Sequence, residues 1–165
     1  ELLASTVFLG EGSQVFMQQV AALLPVRALE FAVRLADDQR VAVVKPGVAT
    51  ALADLPQEPI EGTGVAQVVR GEVPFLLSTE QHDSGGHVAV LVVPLRTEGR
   101  IIGAMAMTAL GRSPFSRNDL ALAQQLADLV APHLDLARRA VTPAAPFIPG
   151  WKRPTLRPDR EPRNQ

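Results

Sequence analysis

Residues 88–107 read VAVLVVPLRTEGRIIGAMAM, two apolar runs separated by a short polar segment. The polar segment contains Glu98-Gly99, and glycine readily takes the positive φ that a tight turn requires. The pattern therefore predicts a β-hairpin with strands near 88–95 and 101–107. Both runs are apolar at nearly every position, so we expect this hairpin to be covered on both faces and to form the centre of a sheet.

The composition is that of a globular domain with an appendage: 165 residues, 47% hydrophobic and 20% charged. A formal net charge of −1 gives the chain no overall attraction to nucleic acid or to an anionic membrane. Cysteine is absent, which excludes disulfides, thiolate metal sites and thiol catalysis. No apolar run reaches the ~20 residues of a membrane span, and no basic leader is visible at Glu1. We therefore expect a cytoplasmic protein without a membrane partner, and, since the chain starts without methionine, a fragment of a larger one.

Upstream of the hairpin, hydrophobic spacing predicts a helix over Gln14–Leu24, capped by Ser13. Strict alternation then predicts a strand over Leu29–Leu35, and an antiparallel return over Val41–Val44. The following residues, Val48–Gly62, contain two prolines and are interpreted as a long connection with room for one helical turn.

A short helix is predicted next, with Thr63 as its cap, Val65, Val68 and Val69 on one face, and Gly71 as its stop. A short strand over 74–77 and a polar loop over 78–87 complete the segment before the hairpin.

Downstream of the hairpin, Ser116 and Asp119 have the spacing of a capping box, and a helix is predicted from there to about Arg139. Its apolar residues form two neighbouring stripes that cover more than half of the circumference. One stripe contains Leu122, Leu126, Leu129, His133 and Leu136; the other contains Leu120, Ala123, Ala127, Val130, Leu134 and Ala137. So wide an arc indicates a second partner besides the sheet, either the first helix, another subunit, or both.

The C-terminal segment from Thr142 differs in composition from the rest of the chain. It holds six of the 14 prolines, with five basic and two acidic residues, and so carries +3. Prolines at this density exclude helix and interior strand. We therefore divide the chain into a lead-in (1–12), a domain (13–140) and an extended or disordered basic tail (141–165). The composition of the tail does not favour nucleic-acid binding, because its prolines and single aromatic cluster make it unsuited to contacting base edges in a DNA or RNA groove.

Three segments resemble the GAF domain family: GVAQVVRGEVP (64–74), VVPLRTEGRIIGAM (92–105) and PFSRNDLALAQQLA (114–127). They occur in the family's order and spacing, and the resemblance covers about 13–139. It implies an α+β fold in three layers, GAF/PAS-like, with a central antiparallel sheet of about five to six strands. The terminal helices would cover one face, and the short helix with its loops would cover a pocket on the other.

The resemblance also implies a non-enzymatic sensory or regulatory domain that binds a small molecule, with no cofactor identified, and signals through its terminal helices. The ligand residues predicted on this basis are Phe31, Val44, Val65, Val68, Phe75, His82, His87 and Met105. The alternative is a ligand-free module for dimerisation or protein–protein interaction within a larger signalling or transcription-regulating protein. The homodimer interface would then contain Phe16, Val20, Leu122, Leu126, Leu129 and His133.

The loop at 80–87 is the cluster of titratable residues nearest the predicted pocket. Three interpretations of this loop are open. It is a solvated glycine-rich loop without a further role, or His82, Asp83 or Ser84 donates hydrogen bonds to a ligand, or the loop forms a haem or metal site with His87 as ligand. The resemblance does not favour an enzyme. The family's free methionine sulfoxide reductases use cysteines, as do its covalent bilin binders, and the cyclic-nucleotide motif of the phosphodiesterases is not found. We therefore predict no catalytic residues and no metal ligands.

Overall fold

The computed structural model describes residues 12–35, 39–46, 54–81, 85–111 and 114–141. Within these ranges the chain forms three helices and six strands. In chain order they are α1 (Ser13–Leu23), β1 (Ala28–Arg34), β2 (Arg40–Val44), β3 (Gln57–Pro59), α2 (Ala66–Val69), β4 (Leu76–Gln81), β5 (His87–Thr97), β6 (Arg100–Leu110) and α3 (Arg117–Val141). The predictions for the lead-in, for His82 to Ser84 and for the tail from Thr142 lie outside the described residues.

The strands form one antiparallel sheet in the order β3-β2-β1-β6-β5-β4, so the predicted hairpin is central. Its strands β5 and β6 are joined by a two-residue turn in which Glu98 (φ 53°) and Gly99 (φ 77°) both have positive φ. This backbone matches the right-handed twist of the flanking strands. The pairing shifts by one residue between Leu95 and Arg96, a bulge that leaves one extra residue on β6.

Strand β3 lies within the segment that was interpreted as a connection. It pairs with β2 through only three residues, Gln57 to Pro59, and all three are exposed. An exposed edge strand buries no alternate side chains, so hydrophobic alternation does not reveal it. Pro59 is tolerated there because an edge strand has one side without a pairing partner.

The helix ends fit the predictions with two exceptions. The capping box of α3 is confirmed: Asp119 N donates to Ser116 Oγ at 3.1 Å, and Ser116 N donates to Asp119 Oδ2 at 2.8 Å. Gly12, not Ser13, occupies the N-cap of α1. Thr63 does not cap α2, because its hydroxyl donates to the Ile60 carbonyl at 2.6 Å instead.

Helices α1 and α3 cover one face of the sheet, called here the helix face. Phe16 and Val20 of α1 pack into the same core as Phe31 of β1, with the two phenyl centroids 6.2 Å apart. The second predicted stripe of α3 faces this core, since Ala127 and Leu134 are fully buried. The core is therefore held between the sheet and the two long helices.

The short helix α2 covers the opposite face, called here the α2 face. Val68 and Val69 are buried there against Val92 of β5 and Ala104 of β6. As predicted, α2 is followed by Gly71 with positive φ (75°). Among the described residues, no helix combines the length and the apolar character required to cross a bilayer.

Gly103 marks the closest approach of two central strands. It pairs with Val33 of β1, and a Cβ atom at this position would lie 2.0 Å from the Ala32 carbonyl oxygen. Backbone cannot yield at that distance, so the position accepts only glycine.

Candidate functional site

The structure divides the predicted ligand residues between the two faces of the sheet. Phe31, Val44 and Met105 are fully buried in the core of the helix face. The register explains why they share that face: Phe31 pairs with Val44 on one side and with Met105 on the other, and directly paired residues point the same way. These side chains are thus below the terminal helices.

Val65 and Val68 lie on the α2 face, with the full thickness of the sheet between them and the preceding group. Phe75 is 40% exposed and lines a shallow cavity of about 270 Å³ beside α3. His87 begins β5 at one end of the sheet and is partly buried. The structure therefore does not bring the seven described ligand residues together in one pocket.

The α2 face instead presents a patch of small, partly buried side chains beyond α2, which we call the open floor. Its members are Val43, Ser78, Val90, Ala106 and Thr108. Ser78, Val90 and Thr108 are paired across three adjacent strands, β4, β5 and β6. Glu30, on β1 beside Ala106, is exposed at its edge.

A signal for this floor is present in the sequence of β6. The run Ala104-Met105-Ala106-Met107-Thr108 alternates small and large side chains. In a strand such alternation places all the large side chains on one face. Met105 and Met107 are buried against the helices, so the small residues must form the floor. Met105, predicted as a ligand residue, therefore points away from the floor and toward the helices.

Helix α3 is tied to the end of the hairpin by charged side chains. Arg96 of β5 donates to Asp128 through Nε (3.2 Å) and Nη2 (2.8 Å), and Gln124 Nε2 donates to the same carboxylate at 2.9 Å. Burial alone would raise the pKa of Asp128, but the hydrogen bonds from Arg96 and Gln124 outweigh it, and the pKa is lowered. The stabilisation is present above the ordinary pKa of aspartate and is lost as pH falls through the lowered value.

Nearly two turns before the end of α3, Asp135 is a buried carboxylate with two arginine partners. Its Oδ1 accepts from Arg138 at 2.8 Å, and its Oδ2 pairs with Arg139 at 2.7 Å. Arg139 also pairs with Glu98 in the hairpin turn at 2.9 Å, which raises the pKa of Arg139. Arg139 thus joins the end of α3 to the hairpin turn, and Asp135 pairs with Arg139 from within the helix.

The predicted dimer residues fall into a buried group and an exposed group. Phe16 and Val20 belong to the core, and Leu122 and Leu126 are partly buried against it. Leu129 is 67% exposed, and it lies with Val15, His133 and Gln19 around a groove of about 180 Å³ between α1 and α3.

No group of three or more His, Cys, Asp or Glu side chains able to hold a metal ion occurs in the part of the chain that the structure describes. His87, the ligand in the haem or metal alternative, is partly buried at the start of β5, whereas His82 and Asp83 of the same loop fall outside the described part.

Solved structures share the fold with low sequence identity. A type II free methionine-R-sulfoxide reductase from Thermoplasma acidophilum matches with TM-score 0.61 and 17% identity over 80% of this chain and 95% of its own. The GAF domain of an Acinetobacter phosphoenolpyruvate-protein phosphotransferase matches with TM-score 0.59 and 14% identity over 81% and 86%. The GAF-B domain of DevS from Mycobacterium smegmatis matches with TM-score 0.53 and 21% identity over 84% and 98%.

The comparison with curated proteins gave no match. At these identities the solved structures establish the fold alone. They agree with the six-stranded antiparallel sheet and its helices, and so confirm the predicted α+β class. The sequence model of the GAF domain matches residues 11–134, three quarters of the chain. The chain therefore belongs to the GAF domain family.

Proposed function

We propose that this GAF domain is a regulatory module that binds a small organic molecule on the open floor. The supporting observation is the exposure of Val43, Val90, Ala106 and Thr108, which lie in the middle of the α2 face yet are only partly buried. Elsewhere on that face Val68 and Val69 of α2 pack against Val92 and Ala104, and all four side chains are buried. Small, partly buried side chains of this kind leave apolar surface on which a ligand can bury its own apolar atoms.

The ligand is a compact molecule with an apolar body, since methyl groups dominate the floor. Thr108 and Ser78 supply hydroxyl groups, and Glu30 supplies a carboxylate at the edge. His87 is not part of this proposal, because alternation along β5 places it on the face of Ala89 and Leu91, which is the helix face.

Signalling would pass through the strands to the terminal helices. Ala106 on the floor is followed by Met107, which is buried under α1 and α3. A ligand that binds one arrangement of β6 more tightly than another would shift the helices through Met105 and Met107. The sulfoxide reductase activity of one structural neighbour is not included in the proposal, because the cysteines on which that chemistry depends are absent.

The test is a metabolite screen by thermal shift, repeated on Ala106→Phe. A phenyl group on the floor fills the space of the ligand, so any compound that stabilises the wild type should lose its effect. Leu77→Phe is the matched control, because Leu77 is 44% exposed and lies on the other face of β4. It should bind as the wild type does.

Two results would contradict the proposal. One is a set of ligands whose thermal shifts are the same in Ala106→Phe and in the wild type. The other is a wild-type melting temperature that no metabolite, nucleotide or haem moves. A ligand that binds the folded domain stabilises it by mass action and so raises the melting temperature. At a ligand concentration a hundredfold above Kd, the added free energy of unfolding is about 2.7 kcal/mol.

A second function, self-association through the outer side of α1 and α3, is favoured by a separate observation. Leu129 and Val15 are 67% and 52% exposed and flank the same groove. Exposed apolar side chains grouped in this way are typical of protein contact sites. Two copies related by a two-fold axis would each place Leu129 against the groove of the other.

Leu129→Glu tests this second function by sedimentation velocity over a range of concentrations. The wild type should dimerise as concentration rises, and the charged variant should remain monomeric because an unpaired carboxylate would be buried. Leu110→Glu is the control, since Leu110 is 56% exposed but lies at the end of β6. A wild type that stays monomeric at all concentrations would refute dimerisation.

A further inference from the structure

Four arginines from four elements surround one cavity at the turn end of the hairpin. The cavity has a volume of about 410 Å³, and Arg34, Arg70, Arg100 and Arg138 line it. Arg34 ends β1, Arg70 follows α2, Arg100 begins β6, and Arg138 is in the last turns of α3. The cavity is separate from the open floor, which lies beyond α2.

The charges of these arginines are only partly compensated. Glu61 pairs with Arg70, and Asp135 pairs with Arg138. Asp135 is shared, since its second oxygen pairs with Arg139. Arg100 is exposed and has no ion-pair partner among the residues that the structure describes. Positive charge is therefore in excess at the cavity.

Two of the guanidinium groups make hydrogen bonds that hold them at the cavity. Arg34 Nη1 donates to the Ile101 carbonyl at 3.4 Å. Arg138 uses Nε and Nη2 toward Asp135, at 3.1 and 2.8 Å, so its Nη1 is not needed for that pair. Each guanidinium has five N–H donors in a planar fork, which matches the oxygens of phosphate and carboxylate groups.

We propose that this cavity binds a compact organic dianion, a phosphate monoester or a dicarboxylate. Like charges that converge on one cavity repel one another, and a dianion relieves that repulsion while accepting charge-assisted hydrogen bonds. The volume of the cavity is that of a small-metabolite site. Val69, Ile101 and Ile102 form apolar walls for the carbon skeleton.

The site reaches the C-terminal turns of α3. Arg138 contacts the cavity and Asp135 together, and Asp135 binds Arg139, which pairs with Glu98 of the hairpin turn. A dianion that accepts from Nη1 of Arg138 places negative charge beside Asp135, which holds the same guanidinium through Nε and Nη2. Occupancy of the cavity therefore changes the contacts that fasten the end of α3 to the hairpin.

The test is isothermal titration with phenyl phosphate and with succinate at a constant ionic strength of about 0.15 M, where unspecific attraction is screened. The wild type should bind at least one probe. Arg100→Gln should weaken that binding about tenfold, the effect of one charge-assisted hydrogen bond. Arg70→Gln, an independent second variant, should also weaken that binding.

Arg117→Gln is the matched control, because Arg117 is exposed and begins α3 about 31 Å from Arg138. It should leave the affinity within twofold of the wild type. Amide NMR shifts should move at Gly99, Arg100 and Ile101. Binding of phenyl phosphate alone assigns a phosphate monoester, and binding of succinate alone assigns a dicarboxylate. The proposal is overturned if neither probe binds up to about 10 mM, or if Arg117→Gln weakens binding as much as Arg100→Gln does.

Discussion

Gly103→Ala is expected to destabilise the domain by about 3 kcal/mol, as in severe overpacking. The new methyl group would lie 2.0 Å from the Ala32 carbonyl oxygen and 3.1 Å from the Val33 Cα. Both atoms belong to the backbone of β1, so relief requires two central strands to separate. Urea unfolding followed by circular dichroism measures the loss as a lower midpoint at constant slope.

Gly64→Ala is the control for this substitution. No atom lies within 4 Å of the position of its Cβ, and its φ is not positive. The same change there should alter stability by less than about 0.5 kcal/mol. If Gly103→Ala unfolds at the urea concentration of the wild type, β1 and β6 are not as close as described.

Asp135→Ala is expected to cost about 2 to 3 kcal/mol. The Asp135 side chain is 5% exposed and pairs with Arg138 and Arg139, which are 16% and 51% exposed. Removal of one partner from a buried pair leaves an uncompensated charge at a usual cost of about 3 to 5 kcal/mol, and the cost here is smaller because Arg139 can turn to water. Thermal unfolding by calorimetry measures it.

Asp128→Ala is the matched control, since it also removes an aspartate of α3 that pairs with an arginine. Asp128 and Arg96 are 43% and 49% exposed, and such pairs contribute about 1 kcal/mol or less. The contrast between the two variants isolates the effect of burial. Equal losses would show that Asp135 contributes no more than a surface pair does.

The sequence predicts the fold well because its main elements follow from local patterns. The central hairpin follows from two apolar runs around Glu98-Gly99, and the start of α3 follows from Ser116 and Asp119. Strand β3 does not, because an exposed edge strand of three residues is held by pairing with β2 rather than by a side-chain pattern.

The candidate sites are less accessible to sequence reasoning, because their residues are distant in the chain. Phe31 and Met105 were predicted beside Val65, but only the register and the position of α2 reveal which face of the sheet each occupies. The four arginines of the cavity come from four elements, and their meeting depends on the turn of the hairpin and the end of α3. Alternation along β6 was the usable signal for the floor.

That alternation has an evolutionary consequence. Met105 and Met107 hold the helices, while Ala106 and Thr108, between and beside them, face the other way. Substitutions at the second set can alter what the surface recognises without changing the support of the helices. Under the proposed function, a single strand would let ligand specificity diverge among descendants of this domain while the support of the terminal helices is inherited unchanged.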